Sequence, residues 1–286
     1  MMNDEARYPI REVSRLTGVN SVTLRAWQRR YGLLKPERTE SGHRLFTQSD
    51  IERVKEILSW LERGVSIGKV RVLLDKPDAA DVGIEDAKWQ EIIEQLLAIA
   101  VELKLSKLEA ELRELSRLYP AELLLREIVE PWLKRIDALE RVDQKIIRQS
   151  CHALTRRLFI QRLNLQNGPR VAVFCVGLMD DLASTLACFE LQSLGCRVVD
   201  LGIIDPGQLR LAEDRLKVDG YLVVMGAGLN KSWFKAQSEH WRENTFFTGE
   251  VGKIYSDKGL LPGSYALSVS QLAREVKGAP FSRVDV

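Results

Sequence analysis

The chain has 286 residues, 45% hydrophobic and 29% charged, with a net charge of +2. This length exceeds what one hydrophobic core usually organises, and the composition excludes disordered, collagen-like and coiled-coil chains. The charge is uneven: from Arg7 to Phe46 nine Arg or Lys stand against three acids, +6, which leaves −4 for the rest. A basic head on a mildly acidic body is the electrostatic footprint of a nucleic-acid-binding module.

The first elements in chain order are two short helices. Arg11 to Thr17 reads as a helix, Gly18-Val19-Asn20 as a tight turn, and Ser21 as the N-cap of a second helix running to about Tyr31. That spacing is helix-turn-helix. Val13, Leu16, Val22, Leu24 and Trp27 supply the expected packing, which leaves Thr23, Arg25, Gln28, Arg29 and Arg30 for the outer surface, as suits a helix lying in a major groove. Leu33 to Phe46 has two extended arms about a Ser41-Gly42 turn and predicts a β-hairpin wing with Arg38, His43 and Arg44 near its tip. A helix starting at Ser49 or Asp50 follows, with Ile51, Val54, Ile57, Leu58 and Leu61 on one face and Gly64 at its end; a last short helix spans Ser66 to Leu74.

Beyond Asp75, Pro77 and Asp78 the texture is purely helical. Apolar residues recur at helical spacing over Asp86–Leu103, Ser106–Leu118, Glu122–Ile136 and Val142–Leu163, which predicts a four-helix bundle with Pro120 and Pro131 near helix starts. After Asn167-Gly168-Pro169 the pattern changes again. Arg170–Val176, Arg197–Leu201, Tyr221–Met225 and Thr245–Thr248 read as buried strands, alternating with helices over Leu182–Leu194, Pro206–Val218, Ser232–Glu243 and Ser268–Val276. The expected architecture is therefore multidomain, α and α/β: a winged head over 1–76, a helical bundle over 77–166, and a doubly wound, mostly parallel sheet over 167–286. The longest apolar runs, 171–179 and 221–229, hold nine residues each, short of the ~20 that cross a bilayer, so no membrane span is expected. The first residues include Asp4 and Glu5 and no apolar stretch, so no secretory or transit signal is read and the cytoplasm is the expected location.

The segment IREVSRLTGVNSVTLRAWQRRYGLLKPERTESGHRLF with the following DIERVKEI resembles the MerR family of bacterial transcription regulators, and its AWQRRYGLL and GHRLF variants resemble the MlrA and CarH/LitR types within it. The resemblance implies that Thr23, Arg25 and Trp27 meet DNA from the second helix and that Arg38, His43 and Arg44 meet it from the wing. Trp27, Arg29 and Arg30 each keep two readings, core or solvated face against DNA contact. The resemblance further implies a homodimer on an inverted repeat in double-stranded promoter DNA, RNA polymerase as a partner, and activation by remodelling the promoter, whereas CarH-type members repress.

The body loosely resembles the cobalamin-sensing CarH type, in which an Asp-x-His-x-x-Gly signature follows the first strand and the histidine ligates cobalt. Here that signature falls on Leu178-Met179-Asp180-Asp181-Leu182-Ala183, with Asp180 at the histidine position and Ala183 at the glycine. No cofactor is expected, and the domain reads as a B12-binding-like scaffold for dimerisation, for docking a regulatory protein, or for another ligand. His152 reads as a structural or surface histidine. Asp180 and Asp181 read as a helix cap rather than an acid–base pair, and Gly226-Ala227-Gly228 is only a partial glycine loop. Cys151, Cys175, Cys188 and Cys196 have no CxxC spacing, so neither a disulfide framework nor a metal site is expected, and no catalytic constellation emerges.

Overall fold

The computed structural model describes residues 7–39, 42–75, 87–161, 163, 168–179, 182–209, 213–237, 240–241, 244–261, 264–265, 269 and 272–273. The chain divides into two compact units, Met1–Thr155 and Arg156–Val286. Among the described residues no helix is long and apolar enough to cross a membrane.

In the first unit, β1 (Tyr8–Pro9) leads directly into α1 (Ile10–Thr17), which stops where Gly18 takes φ +74° and its N–H caps the Ser14 carbonyl. The next helix, α2 (Ser21–Ala26), is capped by Asn20, whose side chain accepts from the Val22 and Thr23 N–H groups. The cap is thus one residue earlier than the Ser21 expected from sequence. The helix continues as a π turn, Trp27–Tyr31, and ends at Gly32 with φ +61°. β2 (Glu37–Arg38) and β3 (Arg44–Phe46) form the expected wing, with Glu37 opposite Leu45 and Arg38 opposite Arg44. Ser41 lies outside the described residues. β1, which the alternation signal is too short to reveal, adds to the other side of β3 in the order β1-β3-β2.

A capping box starts α3 (Gln48–Glu62): the Thr47 hydroxyl accepts from the Asp50 N–H while the Asp50 carboxylate accepts from the Thr47 N–H. Thr47, not Ser49 or Asp50, is the cap. Ile51, Val54, Ile57 and Leu61 point inward as expected, and α4 (Ile67–Asp75) buries Ile67 and Val70.

The helical region follows the predicted stripes. α5 (Ala87–Val101) buries Ile93, Leu96, Ile99 and Ala100, whereas Leu103 lies past its end at φ +52° and is exposed. α6 (Leu105–Leu118) contributes Leu108 and Leu112. Then α7 (Ala121–Leu124), a π turn (Leu125–Val129) and α8 (Glu130–Asp137) run on as one helical stretch, so Pro131 sits inside it rather than at a free helix start. The wider turn before Pro131 accommodates a residue that cannot donate to the i−4 carbonyl. α9 (Gln144–Ile160) closes the region, and Asp137 at the end of α8 accepts from Arg148 at 2.8 Å and lies 3.3 Å from His152 Nε2, a structural setting for that histidine.

The second unit is built on β4 (Arg170–Val176), α10 (Leu182–Ser193), β5 (Arg197–Ile203), α11 (Pro206–Leu209), α12 (Glu213–Leu216), β6 (Gly220–Met225), α13 (Lys231–Gln237), β7 (Thr245–Thr248), α14 (Glu250–Asp257) and β8 (Ser264–Tyr265). All the pairings are parallel, in the order β5-β4-β6-β7-β8. This is the doubly wound arrangement in which the first strand of the domain lies between the second and third. Both faces of β4 and β6 are covered, by Cys188, Leu191 and Leu272 on one side and by Leu209, Phe234 and Tyr255 on the other. α14 and β8 were not legible as elements. The expected final helix falls mostly outside the described residues, as do Asp180, Asp181 and Asn167. The four cysteines are buried, and burial pushes the Cys151 thiol up to about 11, which keeps it protonated and unreactive.

Tyr119 ties these helices to the head. Its ring meets Trp89 edge-on at 5.1 Å, it hydrogen-bonds the Ile67 backbone, and burial pushes its phenol up to about 12. An unfolded chain ionises this phenol near pH 10, so the folded state holds the extra proton between about pH 10 and 12. The associated stability, up to ~2–3 kcal/mol, is whole below pH 10 and is lost as the pH rises towards 12. Urea denaturation across that window should show a fall that is shallower in Tyr119→Phe; parallel slopes would place the phenol in solvent.

Candidate nucleic-acid interface

The cap at Asn20 sets the phase of α2. With the helix beginning at Ser21, Thr23, Leu24 and Trp27 turn inward and are fully buried, while Val22 and Arg25 turn outward. Leu16 and Val22, expected in the packing, are exposed, and Thr23, expected on the outer surface, is in the interior with its hydroxyl unpartnered. Trp27 is likewise an interior residue: its indole N–H donates to the Leu118 carbonyl at 2.8 Å. Thr23 and Trp27 therefore sit in the interior, behind the exposed Arg25. Arg29 and Arg30 are exposed on the π turn, and Arg30 forms an ion pair with Glu114 of α6.

The wing is joined to this helix by the Arg44 side chain, whose Nε donates to Gln28 Oε1 at 2.7 Å. Across the hairpin, Arg38 stands directly opposite Arg44. Like charges in that position destabilise a strand pair. Burial, and then the charges of Arg38, Arg29 and Arg25, pull the Arg44 guanidinium below its ordinary value. The four arginines, two from the helix and two from the wing, therefore share one electrostatic neighbourhood. His43 is exposed next to them, its backbone N–H held by the Thr39 hydroxyl at 3.0 Å and its carbonyl accepting from the Thr39 N–H at 2.9 Å. The structure thus gathers Arg25, Arg29, Arg38 and Arg44, with His43 beside Arg44 in the wing, and separates Thr23 and Trp27 from them. Sequence reasoning missed Gln28 as the tether of Arg44 and Glu114 as the partner of Arg30. The second carries no sequence signal, since 84 positions separate it from Arg30.

In the second unit, a ligand in such a fold would enter at the carboxyl ends of β4 and β6, where the strand order reverses. The two turns there are bridged to each other: Leu178 N–H donates to Ala227 O at 2.8 Å, Ala227 N–H to Leu178 O at 3.2 Å, and Gly226 N–H to Val176 O at 2.7 Å. A Cβ on Gly177 would lie 2.7 Å from Ala227 O, and one on Gly226 2.8 Å from Leu178 O. The glycines serve this backbone closure. His240, the histidine of this unit, lies beside Gly207 after β5 and not after β4. At the position of the cobalamin signature's histidine the sequence has Asp180. Among the described residues, no group of three His, Cys, Asp or Glu could hold a metal ion.

A helix-turn-helix closed by a three-stranded wing and faced with arginines defines a winged helix-turn-helix head. Residues 8–76 match the family described as MerR HTH family regulatory protein, and the head is a MerR-type domain. Over 142 residues the chain is 41% identical to the HTH-type transcriptional regulator MlrA of Salmonella typhimurium LT2, covering 50% of this chain and 57% of that protein. It is 39% identical over 70 residues to the HTH-type transcriptional repressor CarH of Myxococcus xanthus, 24% of this chain and 23% of that one. The chain thus spans 57% of the MlrA protein and 23% of CarH. A solved cobalamin-binding protein from Desulfitobacterium hafniense aligns over 65% of this chain and 96% of its own, at 10% identity and a TM-score of 0.32.

The burial of Thr23 gives a direct test. Thr23→Val replaces an unpartnered buried hydroxyl with a methyl group and should raise stability by about 1 kcal/mol while leaving DNA affinity within twofold. A large loss of binding with the fold intact would put the hydroxyl on the DNA.

Proposed function

We propose that the chain is a sequence-specific DNA-binding transcription regulator of the MerR family, without enzymatic activity and independent of cobalamin. The observation that carries this reading is the meeting of Arg25 and Arg29 from the helix with Arg38 and Arg44 from the wing, each felt by the Arg44 guanidinium. Repulsion of that kind is unfavourable in the free protein and is relieved when phosphates or guanine edges take the place of solvent. In this reading Arg25 lies in the major groove, Arg29, Arg38 and Arg44 neutralise flanking phosphates, and His43 adds a polar contact from the wing. Thr23 and Trp27 support the helix from behind.

The division into head (1–76), helical region (77–166) and α/β region (167–286) then assigns the parts. The head binds an inverted repeat in promoter DNA as half of a homodimer, in the cytoplasm. The two body regions dimerise or receive a regulatory protein, and the bound dimer activates RNA polymerase by deforming the promoter.

Anisotropy with a duplex, titrated with salt, tests the DNA reading. Wild type should show a steep linear fall of log K with log salt, and Arg44→Ala should weaken binding by roughly tenfold and reduce the slope by about 0.9, the loss of one neutralised phosphate. A flat salt response in the wild type, or an unchanged slope in the variant, would remove the arginine face from the mechanism. For the regulatory sign, a run-off transcription assay on the selected operator should give more transcript with protein than without; less transcript would assign the repressing mode.

A further inference from the structure

The π turn that ends the second helix is held by α6 at two points. Trp27 donates its indole N–H to the Leu118 carbonyl in the interior, and at the surface Arg30 pairs with Glu114. Glu114 and Leu118 are four residues apart and so lie on one face of α6, while Trp27 and Arg30 are three apart on the turn that faces it. The buried bond keeps the two elements in register, and the ion pair sits at the rim of the same contact. The Arg30 side chain is 53% exposed and the Glu114 side chain 33%, so the pair borders solvent. Arg117 stands 4.0 Å from the other oxygen of Glu114.

A guanidinium satisfied by one carboxylate is not free to make the paired hydrogen bonds that a phosphate would receive. Arg30 also sits outside the group of charges that act on Arg44, unlike its neighbour Arg29. We propose that Glu114 is a built-in competitor for DNA phosphate: it holds Arg30 against α6 and lowers the affinity of the head from within the helical region. This inference rests on the DNA-binding reading above. Because an exposed ion pair is weak, the competition tunes affinity and does not abolish it. Any event that moves α6 relative to the turn, or neutralises Glu114, releases one more cation to the duplex.

The test uses the full chain and a 30-base-pair random-sequence duplex, read by anisotropy across a salt series. Glu114→Gln should tighten binding by up to about fivefold at low salt and steepen the plot of log K against log salt by about 0.9, the signature of one added phosphate contact. In an Arg30→Ala background the same substitution should change neither quantity. Wild-type affinity and slope in Glu114→Gln overturn the proposal, and so does a gain that persists without Arg30, which would be a general charge effect. Failure of the wild type to bind the duplex at any salt overturns the DNA reading itself, a different result. Should Glu114→Gln lose helical circular dichroism, Glu114→Ala reads the same two quantities.

Discussion

The buried hydrogen bond from the Trp27 indole to the Leu118 carbonyl is the constraint on which the arginine face depends. The Arg44 guanidinium is repelled by Arg38, Arg29 and Arg25, charges gathered from two elements. Left to itself, a short helix followed by a two-residue strand would splay to separate them. It is kept in place from behind. Val13, Leu24, Trp27, Leu33, Leu34 and Phe46 are all buried to 1% exposure or less, and each such side chain contributes roughly 1.5–3 kcal/mol on burial. The indole bond adds direction to this non-directional attraction, because it fixes where the end of the helix sits against α6. In front, the Gln28–Arg44 bond couples the helix to the wing, so that the two sources of charge are held together. The head and the helical region as far as Thr155 accordingly fall within one compact unit.

How far the sequence discloses this depends on the range of the interaction. Turn and cap chemistry is local, so the two helices, the wing, the four helical stripes and the strands β4 and β7 could be placed to within a residue or two. The phase of α2 was less legible, because Asn20 and Ser21 are both good caps and only the geometry selects the first. That single-residue difference moves Thr23 inside and Val22 outside. Trp27 had two readings for a related reason: an indole is large enough to be core and polar enough to be a contact, and only the presence of Leu118 O decides between them. Glu114 was beyond reach, since no periodicity links it to Arg30. β8 was missed because two residues cannot display alternation, and α14 because Glu250–Asp257 opens and continues through glycines that read as turns.

The α/β unit illustrates a scaffold whose usual entry point is used for something else. Its strand order creates a crevice between the ends of β4 and β6, and a wound sheet with a polar crevice there is predisposed to take a ligand. In this chain the crevice is spanned by backbone hydrogen bonds between Leu178 and Ala227, and Gly177 and Gly226 permit the approach. A side chain at either glycine would collide with a carbonyl oxygen, so the same residues that elsewhere make space for a phosphate tail here make space for the neighbouring turn. The apolar faces of the sheet are covered by the helices on both sides.

The electrostatics of the head also explain why its affinity should depend on salt from both sides of the equilibrium. In the bound state, added salt opposes the release of counterions from the duplex. In the free state, salt screens the repulsion of Arg44 by Arg25, Arg29 and Arg38, whose relief is part of the proposed driving force; at physiological ionic strength the screening length is about 8 Å. Both effects act in the same direction. Arg30 differs from these four because its charge is already answered by Glu114, so its free state gains rather than loses from low salt. A head built in this way combines cations driven towards DNA by mutual repulsion with one restrained by an acid. The balance between the two is set by how α6 sits against the π turn, which is a property of packing and not of charge.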